Sequence, residues 1–309
     1  MIEVKNLSKY YGSKMALDNI SFIIREGEVL GFLGPNGAGK STAMKIITCF
    51  LSATEGTVLV DNNDVFEHSL EVRKLIGYLP EHPPLYLDMT VKDYLRFVAT
   101  IRGVKKKNVD DRVKTVVEKC GIHKYYTSYC NSLSKGYRQR VGIAQAMVHE
   151  PKYLILDEPT IGLDPIQIVE IRNLIKTFGD DHTVILSTHI LPEVDVTCER
   201  VLIINEGRVV AEDTTVNLHD NIHQSGELLI EYRGTSADVL KKFEDLDGVV
   251  SVQNESESNE TTVLKITTRP GYDIRPSVAQ IIIGEQLDLL EMKLLTMTLE
   301  DIFVKVTMH

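Results

Sequence analysis

Between an apolar run, VLGFLG (residues 29–34), and a helix-compatible stretch opening at Lys40 lies GPNGAGKS, Gly34 to Ser41. The pattern G-x-x-x-x-G-K-[S/T] at a strand-to-helix connection constrains this chain more than any other feature. Its glycines let successive backbone N–H groups converge on one anion. A helix starting there adds the positive end of its dipole. A chance match arises in about one chain in a hundred of this length, and placement between strand and helix lowers that further. We read Gly34, Pro35, Asn36, Gly37, Ala38, Gly39, Lys40, Ser41 and Thr42 as a phosphate cradle. Lys40 is expected to reach the β- and γ-phosphates of a nucleotide, and the Ser41 hydroxyl to ligate Mg²⁺.

A second segment complements the cradle. LILDEPT, Leu154 to Thr160, places two carboxylates at the end of a short apolar run. Asp157 is suited to hold Mg²⁺ and Glu158 to act as general base toward water. Adjacent carboxylates there could merely cap a following helix; beside Gly34–Ser41 the catalytic reading is the better one. A third run, TVILST (183–188), ends at His189, whose imidazole falls at the same sheet edge and within expected reach of a γ-phosphate.

These runs are short and largely apolar, as strands buried on both faces are. Helical patterns lie between them: Lys40 to about Leu51, and Pro165 to Phe178 with Ile168, Ile171 and Ile175 on one face. Strands alternating with helices predict an α/β fold with a mainly parallel sheet. Residues 83–148 carry helical periodicity and few strand signals, and are read as an inserted helical subdomain. After Gly226 the order changes to βαββαβ, a ferredoxin-like α+β pattern. Strands are predicted over 227–233, 249–253, 261–268 and 287–295, helices over 236–246 and 273–283, and a last helix near Leu299–Val306.

Charge supports a boundary near residue 220. Residues 220–309 hold 16 acidic and 8 basic residues, net −8, leaving 28 against 26, net −2, before them. Domains are therefore expected over 1–219 and 220–309. The overall charge of −10 argues against a general nucleic-acid binder. No run of 18 apolar residues suggests a bilayer span, and the amino terminus lacks a secretory core, so a cytosolic chain is expected. The four cysteines, Cys49, Cys120, Cys130 and Cys198, fit no disulfide or zinc spacing and are read as small buried hydrophobes.

Taken in order, these residues resemble the ATP-binding subunits of ABC transporters, over roughly residues 1–220. Gly34–Ser41 is similar to the Walker A motif of P-loop NTPases, Leu154–Glu158 to Walker B, and Leu163–Asp164 to the D-loop. His189 occupies the switch-histidine position, and Tyr11, before Gly12, the aromatic A-loop position that stacks on adenine. NSLSKGYRQR (131–140) stands where the family has its LSGGQ signature, with Lys135 for the first glycine of the pair and Tyr137 for glutamine. Glu81 replaces the Q-loop glutamine in GYLPEHPPLY, bringing a potential metal ligand and a negative charge. Lys135 is expected to offset that charge across a dimer interface.

The resemblance implies an ABC-type nucleotide-binding domain that hydrolyses ATP with Mg²⁺. It also implies two chains sandwiching two nucleotides, Ser134 and Gly136 of each contacting the nucleotide on the other. Asp164 is carried over as part of the catalytic set. GYLPE, the acidic C-terminal domain and the ending TLEDIFVKVT resemble the ABC-2 export type. GYLPEHPPLYLDMTVKDYLRF is similar to gliding-motility-associated ATP-binding subunits of Bacteroidetes. A separate membrane permease and a peripheral place on the inner face of the cell membrane are implied. Leu85, Tyr86, Leu87 and Met89 are candidates to pack on that permease. The alternatives are an ABC-type ATPase acting on ribosomes or nucleic acid, disfavoured by the single Walker A motif and the short helical insert, and a non-catalytic regulatory binder.

Overall fold

The computed structural model describes residues 1–179, 181–215, 226–234, 237–257, 261–269 and 272–295. They belong to two compact units, Met1–Thr215 and Val216–His309. The division falls shortly before the step in charge.

The first unit begins with β1 (Ile2–Tyr11), β2 (Lys14–Ile24) and β3 (Val29–Leu33), then α1 (Lys40–Ile47), β4 (Glu55–Val60), β5 (Asn63–Asp64), α2 (Ser69–Leu75) and β6 (Ile76–Leu79). Three helices follow, α3 (Val91–Ile101), α4 (Val109–Lys119) and α5 (Lys135–Met147). The chain returns through β7 (Tyr153–Asp157), α6 (Pro165–Phe178), β8 (Thr183–Thr188), α7 (Leu191–Thr197), β9 (Arg200–Asn205) and β10 (Arg208–Thr214).

Six strands form the central sheet in the order β10-β9-β3-β8-β7-β6, parallel except for β10. Every residue of β3, β7 and β8 is buried, which explains why these strands read as continuous apolar runs. Because β3, β7 and β8 are parallel neighbours, their carboxyl ends bring Gly34, Glu158 and His189 to one sheet edge. A second, antiparallel sheet, β2-β1-β4-β5, packs its apolar side chains against β3 and α1 in one core that includes Ile2, Leu17, Phe22, Phe32, Met44 and Val58. The alternation in this sheet is interrupted by register shifts at Val4/Leu7 and Leu7/Lys9. In sequence only the amino-terminal MIEVKNLSKYYG reads as a strand of this sheet.

Between residues 83 and 148 lie α3, α4 and α5, with one isolated bridge between Thr90 and Tyr129. Thr90 caps α3, accepting from Asp93 N at 3.1 Å and donating to Asp93 Oδ2 at 2.7 Å. The helix anticipated from Lys40 to Leu51 is shorter: α1 stops at Ile47, and Cys49 turns the chain with φ +59. The apolar pattern continues past that turn because Phe50 stands exposed on the surface and Leu51 packs half-buried against the core. All four cysteines are free, with Cys120, Cys130 and Cys198 buried and Cys49 half-buried.

The second unit has β11 (Gly226–Arg233), α8 (Ala237–Glu244), β12 (Val249–Glu257), β13 (Thr261–Thr268), α9 (Arg275–Gly284) and β14 (Asp288–Leu295). Its antiparallel sheet has the order β12-β13-β11-β14, the arrangement of a ferredoxin-like βαββαβ unit. Leu228, Ile230, Tyr232, Leu264 and Ile266 from the sheet bury against Val239 and Phe243 of α8 and Val278 and Ile282 of α9. β12 extends beyond the predicted 249–253. The helix expected near Leu299–Val306 lies outside the described residues.

Candidate nucleotide-hydrolysis site

The loop from Gly34 to Gly39 is shaped by crowding as much as by flexibility. Gly39 has φ +108, and a Cβ there would lie 2.5 Å from Ala16 O; one at Gly34 would lie 2.3 Å from Ile204 O. Any side chain at either place would force backbone apart. Gly39 also opens α1 without a side-chain cap, and no acidic residue stands in the first turn. The helix therefore presents free N–H groups and its positive dipole end to the loop.

Lys40 folds back over this loop. Its ammonium donates to Gly34 O at 2.7 Å and Pro35 O at 3.2 Å, and lies 3.2 Å from Glu158 Oε1. Both side chains of that pair are 6% exposed. Glu158 Oε2 accepts from His189 Nδ1 at 2.8 Å. Since the carboxylate can only accept, the imidazole proton sits on Nδ1. Cradle lysine, carboxylate and imidazole are thus one connected cluster built from three separate segments of chain.

A cleft of about 490 Å³ opens over the loop, lined by Tyr11, Asn36, Lys40, Ser41, Glu81 and Glu158 among others. Tyr11 is about half exposed at its rim, with the Lys9 ammonium 5.7 Å from the ring centroid. Asp157, the residue before Glu158, is 1% exposed, and its Oδ1 has no hydrogen-bond partner. Burial pushes its carboxyl above the ordinary range and the charges of Glu158 and Glu81 add to this, while the hydroxyls of Ser187 and Ser41 act in the opposite direction. An orphaned, buried, under-compensated carboxylate oxygen next to a hydroxyl suits a hard divalent cation. Ser41 and Asp157 therefore fit Mg²⁺, with Glu81 at the rim.

The remaining expected residues lie elsewhere. Ser134 is the N-cap of α5, accepting from Tyr137 N at 3.4 Å, and Gly136 packs so closely that a Cβ would meet the Gln167 side chain at 2.7 Å. Neither lines the cleft. The Lys135 ammonium rests against Gly162 of its own chain, and the Tyr137 ring packs on Tyr125 at a tilt of 49°, with centroids 4.2 Å apart. Asp164 accepts from Gln167 N at 2.9 Å as the N-cap of α6 and also stands outside the cleft.

The ABC transporter family profile matches residues 17–161. The ABC transporter ATP-binding protein YhcH of Bacillus subtilis is 32% identical over 310 residues, covering 99% of this chain and 96% of YhcH. The bacitracin transport ATP-binding protein BcrA of Bacillus licheniformis is 30% identical, covering 99% of this chain and 96% of BcrA. Among solved structures, the dimeric bacterial ABC transporter cassette MJ0796 superposes with TM-score 0.64 at 28% identity, over 70% of this chain and 99% of MJ0796. The same cassette has been solved in a post-hydrolysis state with ADP and Pi. The chain belongs to the ATP-binding subunits of ABC transporters. It is an ATPase of that family and uses ATP with Mg²⁺.

Proposed function

We propose that the chain powers an ABC-2-type exporter as a nucleotide-sandwich dimer on the inner face of the cell membrane, driving a separate permease. One observation carries the dimer reading. The cleft holds Lys40, Ser41 and Glu158, whereas Ser134 and Gly136 stand outside it, so a second chain is needed to supply the signature.

In this reading Lys40 and the α1 N-terminus bind the γ-phosphate, and Tyr11 stacks on the base. Glu158 orients the attacking water and takes its proton at a carboxylate oxygen, and His189 holds that carboxylate through Nδ1–H. Mg²⁺, held by Ser41 and Asp157, supplies charge neutralisation on the phosphate oxygens when bound. Water is excluded by the partner's Ser134–Gly136 turn, and hydrolysis removes the group that joins the halves. Asp164 and its loop face the dimer rather than the cleft in this arrangement.

No helix among the described residues is long and apolar enough to cross a membrane. Two adjoining clefts, about 520 and 730 Å³, share Cys49, Phe50 and Arg73. Phe50, Phe66, Leu70 and Ile101 line them, each between 63 and 77% exposed. Such a contiguous apolar surface is what a permease's cytosolic segment would cover. Tyr86 and Leu87 are half-exposed nearby in sequence, with Tyr86 also packed on Tyr94 and Phe97 of α3.

The export type is supported by GYLPE, by the second unit, and by an alignment with the bacitracin transport protein that runs through both units. The segment GYLPEHPPLYLDMTVKDYLRF supports the gliding-motility-associated kind. Affinity purification from membranes tests the whole reading. A polytopic membrane protein as stoichiometric partner is expected; ribosomes or DNA in its place would overturn the transporter assignment.

A further inference from the structure

Glu193 carries no motif, yet it is the most deeply buried acidic side chain near the site. It sits in α7, 0% exposed. Its Oε1 accepts from Thr160 Oγ1, and its Oε2 accepts from Thr188 Oγ1 at 2.8 Å. The Arg172 guanidinium of α6 lies 3.7 Å away. Thr188 Oγ1 in turn accepts from Ile190 N at 3.0 Å, closing the turn that contains His189. Thr160 belongs to the tight turn after Glu158, where Ile161 N donates to Glu158 O at 3.2 Å.

We propose that Glu193 is a positioning residue that sets the Glu158–His189 geometry by tying the turn after β7 to the turn after β8. The inference rests on the hydrolytic roles given above to Glu158 and His189. Each carboxylate oxygen holds one of the two hydroxyls, so the separation of the turns is fixed by a single rigid planar group. That separation sets the 2.8 Å contact between His189 Nδ1 and Glu158 Oε2. Stability alone does not demand a charge here, because buried ionic groups are often replaced by apolar residues of like volume without loss. Glutamine would offer one acceptor oxygen and an amide donor, so it can satisfy only one threonine hydroxyl as an acceptor.

The test compares full-length Glu193→Gln, Thr188→Val and Thr188→Ser with the parent chain. Steady-state ATPase, nucleotide affinity, thermal midpoint and the ¹⁵N imidazole resonances of His189 are the readouts. Glu193→Gln and Thr188→Val are expected to lower kcat about 10-fold, equivalent to about 1.4 kcal/mol of barrier. KM, ATP affinity and midpoint should stay near parental values, and the His189 resonances should shift from the Nδ1–H tautomer toward a mixture. Thr188→Ser, which keeps the hydroxyl, should restore the rate. With His189→Ala, the Glu193→Gln loss should not add.

Unchanged kcat in both variants overturns the inference. So does a loss that adds fully to that of His189→Ala, or a kcat that falls only together with ATP affinity and midpoint. Glu158→Gln assayed alongside separates the two levels: if it alone retains ordinary turnover, the role of Glu158 fails, whatever Glu193 does.

Discussion

Glu158 leaves β7 with φ +49, a left-handed conformation that costs a residue bearing a Cβ on the order of 1 kcal/mol. The surroundings hold it there: its N–H donates to Ser187 O at 2.9 Å, while Lys40 and His189 claim the two carboxylate oxygens. Glu158→Gln is expected to keep ATP bound, accumulate dimers on size exclusion and lose turnover by about 100-fold or more. Ordinary multiple turnover, in a preparation free of contaminating ATPase, would remove its role as base. At the cleft's rim, Tyr11→Ala should weaken ATP binding by about 1–2 kcal/mol through lost stacking, as titration calorimetry would show. Away from the site, His149 donates from Nε2 to Ile76 O at 3.1 Å. Burial, aided by the charges of Arg102 and Arg112, lowers its pKa from 6.5 to about 4 against that hydrogen bond. Its folded pKa lies below its unfolded one, so the unfolded chain binds the extra proton and stability falls as pH drops from 6.5 toward 4. In His149→Gln the urea midpoint should decline less over this window than in the parent.

Helix α6 shows how much a local signal can carry. Asp164 followed by Pro165, with apolar residues at three- and four-residue steps, predicts Pro165–Phe178, and α6 has those bounds. Asp164→Ala should cost about 1 kcal/mol by losing the cap, and Asp164→Ser should recover it, as urea unfolding would measure. Normal unfolding of Asp164→Ala would deny the cap its energetic weight. The phosphate loop and the carboxylates were equally legible, since each is a short run of chain with its chemistry written in adjacent residues. Long-range pairing was not. β1 meets β2 and β4 through register shifts, so no window of sequence displays the antiparallel sheet as one object. α1 looked longer than it is because Phe50 and Leu51 continue an apolar rhythm past the left-handed turn at Cys49. Glu193 carries no signal in sequence, because an acidic residue in a seven-residue helix acquires meaning only from hydroxyls 33 and 5 positions away.

At the scale of the whole molecule, ATP chemistry and the apolar clefts occupy different surfaces of the first unit. Phe50→Glu combined with Phe66→Glu should leave the ATPase of the isolated chain intact and abolish its recovery with membranes. Retention of membrane recovery would locate the permease contact elsewhere, toward Tyr86 and Leu87. The acidic second unit holds most of the net charge but folds around its own core, so the ATPase unit itself is close to neutral. One element touches both surfaces. α1 starts at Lys40, inside the phosphate cradle, and the residues just beyond its end, Cys49 and Phe50, line the clefts. Eight residues at 1.5 Å each make a rod of about 12 Å. Its length and phase are therefore a ruler: inserting or deleting one residue would swing everything after it by about 100°. Such a change would leave the motif readable in the sequence while misaligning the clefts with the cradle.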